Sequence, residues 1–453
     1  MEYIHRPYQA GDTVAAVATP PGEGGIAVIR ISGNEALIVA GKIFSGPVRE
    51  YASHTVHFGK ILNAQREAVD EVLLVPMLGS RSYTGEDTVE IHCHGGSLIT
   101  KKVLHTVLAA GARAAYPGEF TFKAYMNGKI DLAQAEAVQT LIGAQNELAL
   151  HAAENQLQGA LSKKIAYFQE RLFDTAAILE AWVDFPEEGL EFASLEEIVT
   201  ALETILDEMT ALSNTFDNGK MIHEGLSLCL VGSPNVGKSS LMNALLGKER
   251  AIVTPIAGTT RDLLEENLRL GNLHFRLADT AGIRETEEVI EQEGIRRSKK
   301  AMQEADLVLL VLDATKGIED PSLLETAPEK TITVWNKIDL PHDTLPTFAH
   351  TVSVSAKERI GLEDLHRMIE AVIWKKGPPS KQEVVITNLR HRQALTQAIA
   401  SLSTLIEGLK TGVSPEFLSS DMRKTLVELG TIIGKNITED ILSAIFSKFC
   451  IGK

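Results

Sequence analysis

One segment constrains this chain more than any other: Gly232-Ser233-Pro234-Asn235-Val236-Gly237-Lys238-Ser239. It follows an apolar run, Leu226 to Val231, and leads into a helix-forming run, Ser240 to Leu245. A glycine-rich turn between a buried strand and a helix is the phosphate-cradling P-loop in its required context. Its glycines let backbone N–H groups converge on phosphate oxygens, and the helix N-terminus adds partial positive charge. Such a loop demands a parallel sheet covered on both faces. The sequence supplies one, with apolar strand-like runs at His274–Ala278, Leu307–Leu312 and Thr331–Trp335 and helical segments between them. Lys238 is placed to reach the β- and γ-phosphates, and Ser239 to coordinate Mg²⁺.

Loops at the carboxyl ends of the later strands should complete the site. Asp279-Thr280-Ala281-Gly282 ends one strand, as a Mg²⁺-linked acidic residue should. Gly258-Thr259-Thr260-Arg261-Asp262 lies where a switch loop can put Thr260 on Mg²⁺ and the γ-phosphate. In Asn336-Lys337-Ile338-Asp339, Asp339 can accept from guanine N1–H and N2–H₂, a donor pair adenine lacks. A buried carboxylate facing the wrong base would lose its partners, so the discrimination is large. Ser355-Ala356-Lys357 supplies the remaining base-side contact. In this order the elements resemble the translation-factor-related branch of P-loop GTPases, with GTP as substrate. One departure bears on mechanism. Where Ras-type enzymes carry a water-positioning Gln, Ile283 follows Gly282, and then Arg284. An apolar side chain cannot orient water, so the group must come from elsewhere. The acidic run Glu285, Glu287, Glu288, Glu291 and Glu293 offers candidates, although its composition also reads as a solvated helix face.

The rest of the chain divides around this unit. Its first ~120 residues alternate short β-rich runs (Val14–Thr19, Ile26–Ile31, Glu71–Val75, Thr88–Cys93) with helical stretches such as Leu98–Ala110. From Ile130 to about Thr215 apolar residues recur at helical spacing, predicting two or three long helices broken at Pro186. After Lys376-Gly377-Pro378-Pro379-Ser380 the chain is helical again. A length of 453 residues suits about three domains. With 44% hydrophobic and 23% charged residues, the chain is neither disordered nor fibrous. Its longest apolar stretch, Leu307–Leu312, is far below the ~20 residues that span a bilayer, and Met1–Pro7 carries no apolar signal core. Three cysteines (Cys93, Cys229, Cys450) make no disulfide framework, so the cytoplasm is expected. A net charge of −16 argues against a broad phosphate-gripping surface, leaving any RNA contact local or delegated to a basic partner. His92, Cys93 and His94 do not suggest zinc, because neighbours on a strand point to opposite faces.

Further motifs make the resemblance specific. Ala18-Thr19-Pro20-Pro21-Gly22, Arg30-Ile31-Ser32-Gly33, Tyr83-Thr84-Gly85-Glu86-Asp87, His94-Gly95-Gly96 and Pro117-Gly118-Glu119-Phe120 lie in the N-terminal third. Asp131 to Ala137, Asp184-Phe185-Pro186 and the terminal Cys450-Ile451-Gly452-Lys453 follow. Over essentially its whole length the chain resembles the MnmE (TrmE) family of tRNA-modification GTPases.

The resemblance implies an α+β N-terminal folate-binding and dimerisation domain (1–120), an all-α central domain (121–222 and 379–453) and an α/β P-loop GTPase domain inserted in it (223–378). It implies a homodimer that works with the FAD protein MnmG, in a heterotetramer or larger complex. Together they add an aminomethyl or carboxymethylaminomethyl group at C5 of the wobble uridine (U34) of certain tRNAs. The one-carbon unit comes from a tetrahydrofolate derivative, 5-formyl- or methylene-tetrahydrofolate. Matched by motif, folate contacts fall on Arg30, Glu90, Lys129 and Lys453, where Arg and Lys suit carboxylates and Glu suits ring N–H groups. GTP contacts fall on Asn235, Val236, Gly237, Lys238, Ser239 and Ser240 in the P-loop. In the switch loop they are Thr254, Pro255, Ile256, Ala257, Gly258, Thr259 and Thr260. Asp279, Thr280, Ala281, Gly282, Asn336, Lys337, Asp339, Ser355, Ala356 and Lys357 complete them. K⁺ is expected at Asn235, Thr254, Ile256 and Thr259, stabilising charge where an arginine finger otherwise would. Mg²⁺ is expected at Ser239 and Thr260. Glu291 matches the family's water-orienting glutamate, so the catalytic set is Lys238, Thr260, Glu291 and Cys450. Cys450 reads either as a packing residue or as a thiol at the one-carbon site. The alternatives are a ribosome-assembly GTPase, which shares Gly258–Asp262 but predicts a basic RNA-binding appendage, and a folate-dependent transferase regulated by GTP without a tRNA role.

Overall fold

The computed structural model describes residues 11–184, 194–246, 267–270, 273–277, 299–374, 377–380 and 383–452. The chain forms two compact units, residues 1–142, 156–210 and 393–453 in one and 143–155 and 211–392 in the other.

The first unit contains a six-stranded sheet of β1 (Val14–Val17), β2 (Ile26–Ser32), β3 (His57–Leu62), β4 (Ala68–Met77), β5 (Thr88–His94) and β6 (Arg113–Ala114), in the order β3-β4-β5-β2-β1-β6. All its pairings are antiparallel except β1 with β6. Alternation places Ile29, Ile31, Ile61, Leu74, Val89 and Ile91 on one face, where they pack with Val39 of α1 (Ala36–Ile43) and Val103 and Val107 of α2 (Ser97–Ala109). The opposite face carries Arg30 and Glu90 side by side, since Arg30 pairs with Glu90 in register. Strand β3 is an addition to the strands read from sequence. Its Phe58 is 71% exposed, which hides the expected apolar alternation.

Among the described residues, the stretch from Ile130 to Thr215 folds into α4 (Leu132–Gly143), α5 (Glu147–Leu157), α6 (Ala160–Asp184) and α7 (Leu195–Asn214). Two of them, α6 and α7, are the long helices expected, and the shorter α4 and α5 are added before them. Asn146 makes the extra break: its side-chain oxygen accepts from Ala149 N at 2.7 Å and its amide donates to Ile222 O at 3.0 Å. Both bonds divert the chain from continuing α4. Pro186 lies outside the described residues. A short α3 (Glu119–Met126) precedes these helices, and α8 (Phe216–Glu224) follows α7.

The second unit holds β7 (Leu226–Val231), β8 (Asn267–Leu270), β9 (Leu273–Leu277), β10 (Leu307–Asp313), β11 (Thr331–Asn336) and β12 (Thr351–Ser353), ordered β12-β11-β10-β7-β9-β8. The pairings are parallel except β8 with β9. Every residue of β10 and β11 is buried, as a sheet covered on both faces requires. One side packs Leu241 of α9 (Lys238–Leu246) and Leu365 and Ile369 of α10 (Leu362–Ile373). The other packs Val308, Leu310 and Trp335. The chain leaves β7 toward β9 on one side and later returns to β10 on the other. The carboxyl end of β7 therefore sits where the strand order reverses, the place at which open α/β sheets bind ligands. After α10 come α11 (Leu389–Thr411), α12 (Pro415–Ile432) and α13 (Glu439–Phe446).

Candidate functional site

In the second unit the P-loop joins β7 to α9. Gly237 has φ +96°, and a Cβ there would collide with Asn336 Nδ2, so the position needs glycine twice over. Asn336 ends β11, and its buried carboxamide ties two loops together. Nδ2 donates to Val236 O at 2.9 Å, while Oδ1 accepts from Ala356 N at 3.0 Å. Lys337, at φ +68°, sends Nζ to Asn235 O at 2.8 Å and to Asp313 Oδ2 at 2.6 Å. Asn336, Lys337 and Ala356, expected on the base side, are thus tied to Asn235 and Val236 of the P-loop. Lys238 Nζ donates to Gly232 O at 2.8 Å and Ser233 O at 2.9 Å. Ser239 and Ser240 lie in the first turn of α9. Asp339 is exposed; the Ser355 hydroxyl, aided by Lys357 and Lys337, holds its carboxyl below the usual range. Ser355 itself is fully buried, and exposed Lys357 pairs with Glu358 at 3.7 Å.

Asp313 was not among the sequence candidates. It closes β10 opposite Asn336 in register, which brings it to Lys337. Burial pushes its pKa up, but bonds from Lys337 and Thr315 outweigh this and leave it below the usual carboxylate range. The sequence signal is a polar residue ending an otherwise apolar run; its place beside Asn336 comes from strand pairing. Thr254, Pro255, Ile256, Ala257, Gly258, Thr259, Thr260, Asp279, Thr280, Ala281, Gly282 and Glu291 lie outside the described residues.

In the first unit the sheet brings two expected residues together. Arg30 Nε donates to Glu90 Oε1 at 2.9 Å, and Nη2 lies 2.8 Å from the same oxygen. Arg30 Nη1 also donates to Gly452 O at 3.3 Å, bringing the C-terminal segment to the sheet. The guanidinium lies 6.0 Å from the Tyr83 ring centroid and 5.5 Å from that of Phe120. Glu90 Oε2 reaches His92 Nε2 at 3.4 Å. His92 and Cys93 do point to opposite faces: Cys93 is buried, and its Sγ donates to Ala27 O at 3.5 Å. Lys129 donates to Ser80 O at 2.6 Å, on the segment that leads into Tyr83. Cys450 is exposed, not packed in a core, and its carbonyl accepts from Gly118 N at 3.3 Å. Lys453 lies outside the described residues.

A glycine-rich loop at the reversal of the strand order, latched to an Asn-Lys-x-Asp loop, defines a P-loop nucleotide-binding domain of the GTPase kind. The sequence matches the family model of the GTP-binding protein TrmE N-terminus over residues 13–129 and that of the MnmE helical domain over 132–450. It is 66% identical to the tRNA modification GTPase MnmE of Protochlamydia amoebophila, across 100% of both chains. It is 46% identical to that of Moorella thermoacetica and 45% to that of Chlamydia pneumoniae, each over 98% of this chain and 99% of the relative. The chain belongs to the MnmE (TrmE) family of tRNA-modification GTPases.

Proposed function

We propose that this chain is a K⁺-stimulated GTP hydrolase that, together with MnmG, modifies C5 of the wobble uridine of certain tRNAs using a tetrahydrofolate-derived one-carbon unit. The observation that carries this reading is the 66% identity to a tRNA modification GTPase over the entire chain. The domain plan is the N-terminal folate-binding and dimerisation domain (1–120), the helical domain (121–222 and 379–453) and the inserted G domain (223–378). The active form is a cytoplasmic homodimer that assembles with MnmG. Among the described residues no helix is long and apolar enough to cross a membrane.

Lys238 turns from the loop carbonyls to the β- and γ-phosphates, and Asp339 accepts from the guanine edge. Asn235 suits a K⁺ site by the chemistry of its carboxamide oxygen, a neutral hard donor on an exposed residue. Asn235, Thr254, Ile256 and Thr259 would hold K⁺; Ser239 and Thr260 would hold Mg²⁺. Ions held there would supply positive charge where negative charge develops in the transition state. Glu291 orients the attacking water, the role that Ile283 cannot fill. In the N-terminal domain Arg30, Glu90, Lys129 and Lys453 bind the folate, and exposed Cys450 lies at the same end of the chain as Lys453. Hydrolysis should be strongly slower when Na⁺ replaces K⁺ at constant ionic strength, and a deletion strain should lose the wobble modification from its tRNA nucleosides. Equal rates in the two salts would remove the K⁺ assignment, and intact nucleosides would remove the tRNA role.

A further inference from the structure

We propose that Tyr83 is a ligand-contacting residue of the Arg30–Glu90 site, its ring forming the stacking surface for the flat pyrimidine half of a reduced pterin. The inference rests on the folate reading above. The loop of Tyr83 reaches two of the residues assigned to that ligand. Its ring neighbours Arg30, while two residues on, a Cβ at Gly85 would lie 3.3 Å from Lys129 Cγ. The phenol oxygen is already engaged with Thr121 Oγ1 at 3.0 Å, yet the residue remains 37% exposed. Burial raises the phenol's pKa, so the group stays neutral at physiological pH. With its polar tip held by α3, what Tyr83 offers a ligand is ring surface.

The loop that carries the ring is braced on both sides. Thr84 Oγ1 meets Ser32 Oγ at 2.8 Å, Asn127 Nδ2 donates to Thr84 O at 2.8 Å, and Ser82 Oγ donates to Glu86 O at 2.5 Å. Beneath it Glu86 Oε2 pairs at 2.7 Å with Lys123, a lysine with no exposed surface. A fully buried lysine is rare unless paired, and such a pair fixes geometry more than it adds stability. A rigidly held aromatic ring loses little entropy when a second flat ring stacks on it. Glu90, paired with Arg30, accepts ring N–H groups, and Arg30, whose guanidinium also lies 5.5 Å from the Phe120 ring centroid, supplies the positive charge.

Calorimetric titration of the full-length protein with 5-formyltetrahydrofolate tests this. Tyr83→Phe should bind within ~3-fold of wild type, whereas Tyr83→Leu, which keeps an apolar side chain without a π face, should bind at least ~10-fold more weakly, about 1.4 kcal/mol. Tyr83→Trp keeps a ring, and its added emission should be quenched saturably on the same titration, a readout that holds even where the leucine variant folds poorly. Three results would each overturn this inference alone, provided that the wild-type protein binds: wild-type affinity in Tyr83→Leu, a loss in Tyr83→Phe as large as in Tyr83→Leu, or added emission in Tyr83→Trp that the ligand leaves unquenched. Failure of the wild-type protein to bind would overturn the folate reading, and this inference with it.

Discussion

Asn336 shows how much one side chain can organise. Its amide and carbonyl bind Val236 O and Ala356 N in a site that is 2% exposed. Asn336→Ala leaves both backbone groups without that partner, which costs about 1–3 kcal/mol each where they stay buried. GTP affinity should fall by at least ~10-fold alongside a lower melting temperature; unchanged affinity would show that the two loops hold without the latch. Asp313 gives a pH prediction. Its folded pKa is depressed below an unfolded value near ~3.9, so its contribution is complete above that pH and is lost as pH falls through the lower folded value. Asp313→Asn should therefore flatten the acid limb of the stability curve while destabilising the protein at neutral pH. An acid limb as steep as wild type would place the titrating group elsewhere. The Asn336 motif was legible because Asn-Lys-x-Asp is contiguous. The Asp313–Lys337 contact was not, since it joins positions that only parallel pairing of β10 and β11 makes neighbours.

Helix α3 works as an element because successive residues face different partners. Glu119 pairs with Arg113, Phe120 lies against Arg30, Thr121 holds Tyr83 and Lys123 holds Glu86. Its N-cap, Gly118, has φ +68°, and a Cβ there would sit 2.7 Å from Phe446 O and 2.9 Å from Phe449 Cβ. Gly118→Ala therefore adds a backbone strain of about 1–3 kcal/mol and pushes against the C-terminal segment. The expected outcome is a lower melting temperature and faster amide exchange from Phe446 to Gly452, with β1 and β2 protected as before. Unchanged exchange there would mean that the segment does not depend on close approach to α3. None of this was readable from Pro117-Gly118-Glu119-Phe120 as a motif. The motif marks a turn into a helix, but its partners lie as far off as residue 450.

The whole molecule carries its two candidate sites in separate compact units, each with its own buried cluster. A ligand that binds one folded unit stabilises it by about 2.7 kcal/mol at 100 times its Kd. In calorimetry, GDP should raise the transition of the unit containing the P-loop, and 5-formyltetrahydrofolate that of the unit containing Arg30. A single transition moved equally by both ligands would show that the units unfold as one. The local patterns that determined most of the architecture are contiguous: a strand–glycine loop–helix run, apolar runs long enough to be buried strands, and helical periodicity after residue 130. Such signals depend on backbone preferences and on period, which a chain carries whatever surrounds it. Tertiary structure alone decided which strand lies beside which, and that Arg30 meets both Glu90 and Gly452. Those outcomes depend on contacts between residues 60 and 422 positions apart, and no local propensity encodes a distance of that kind.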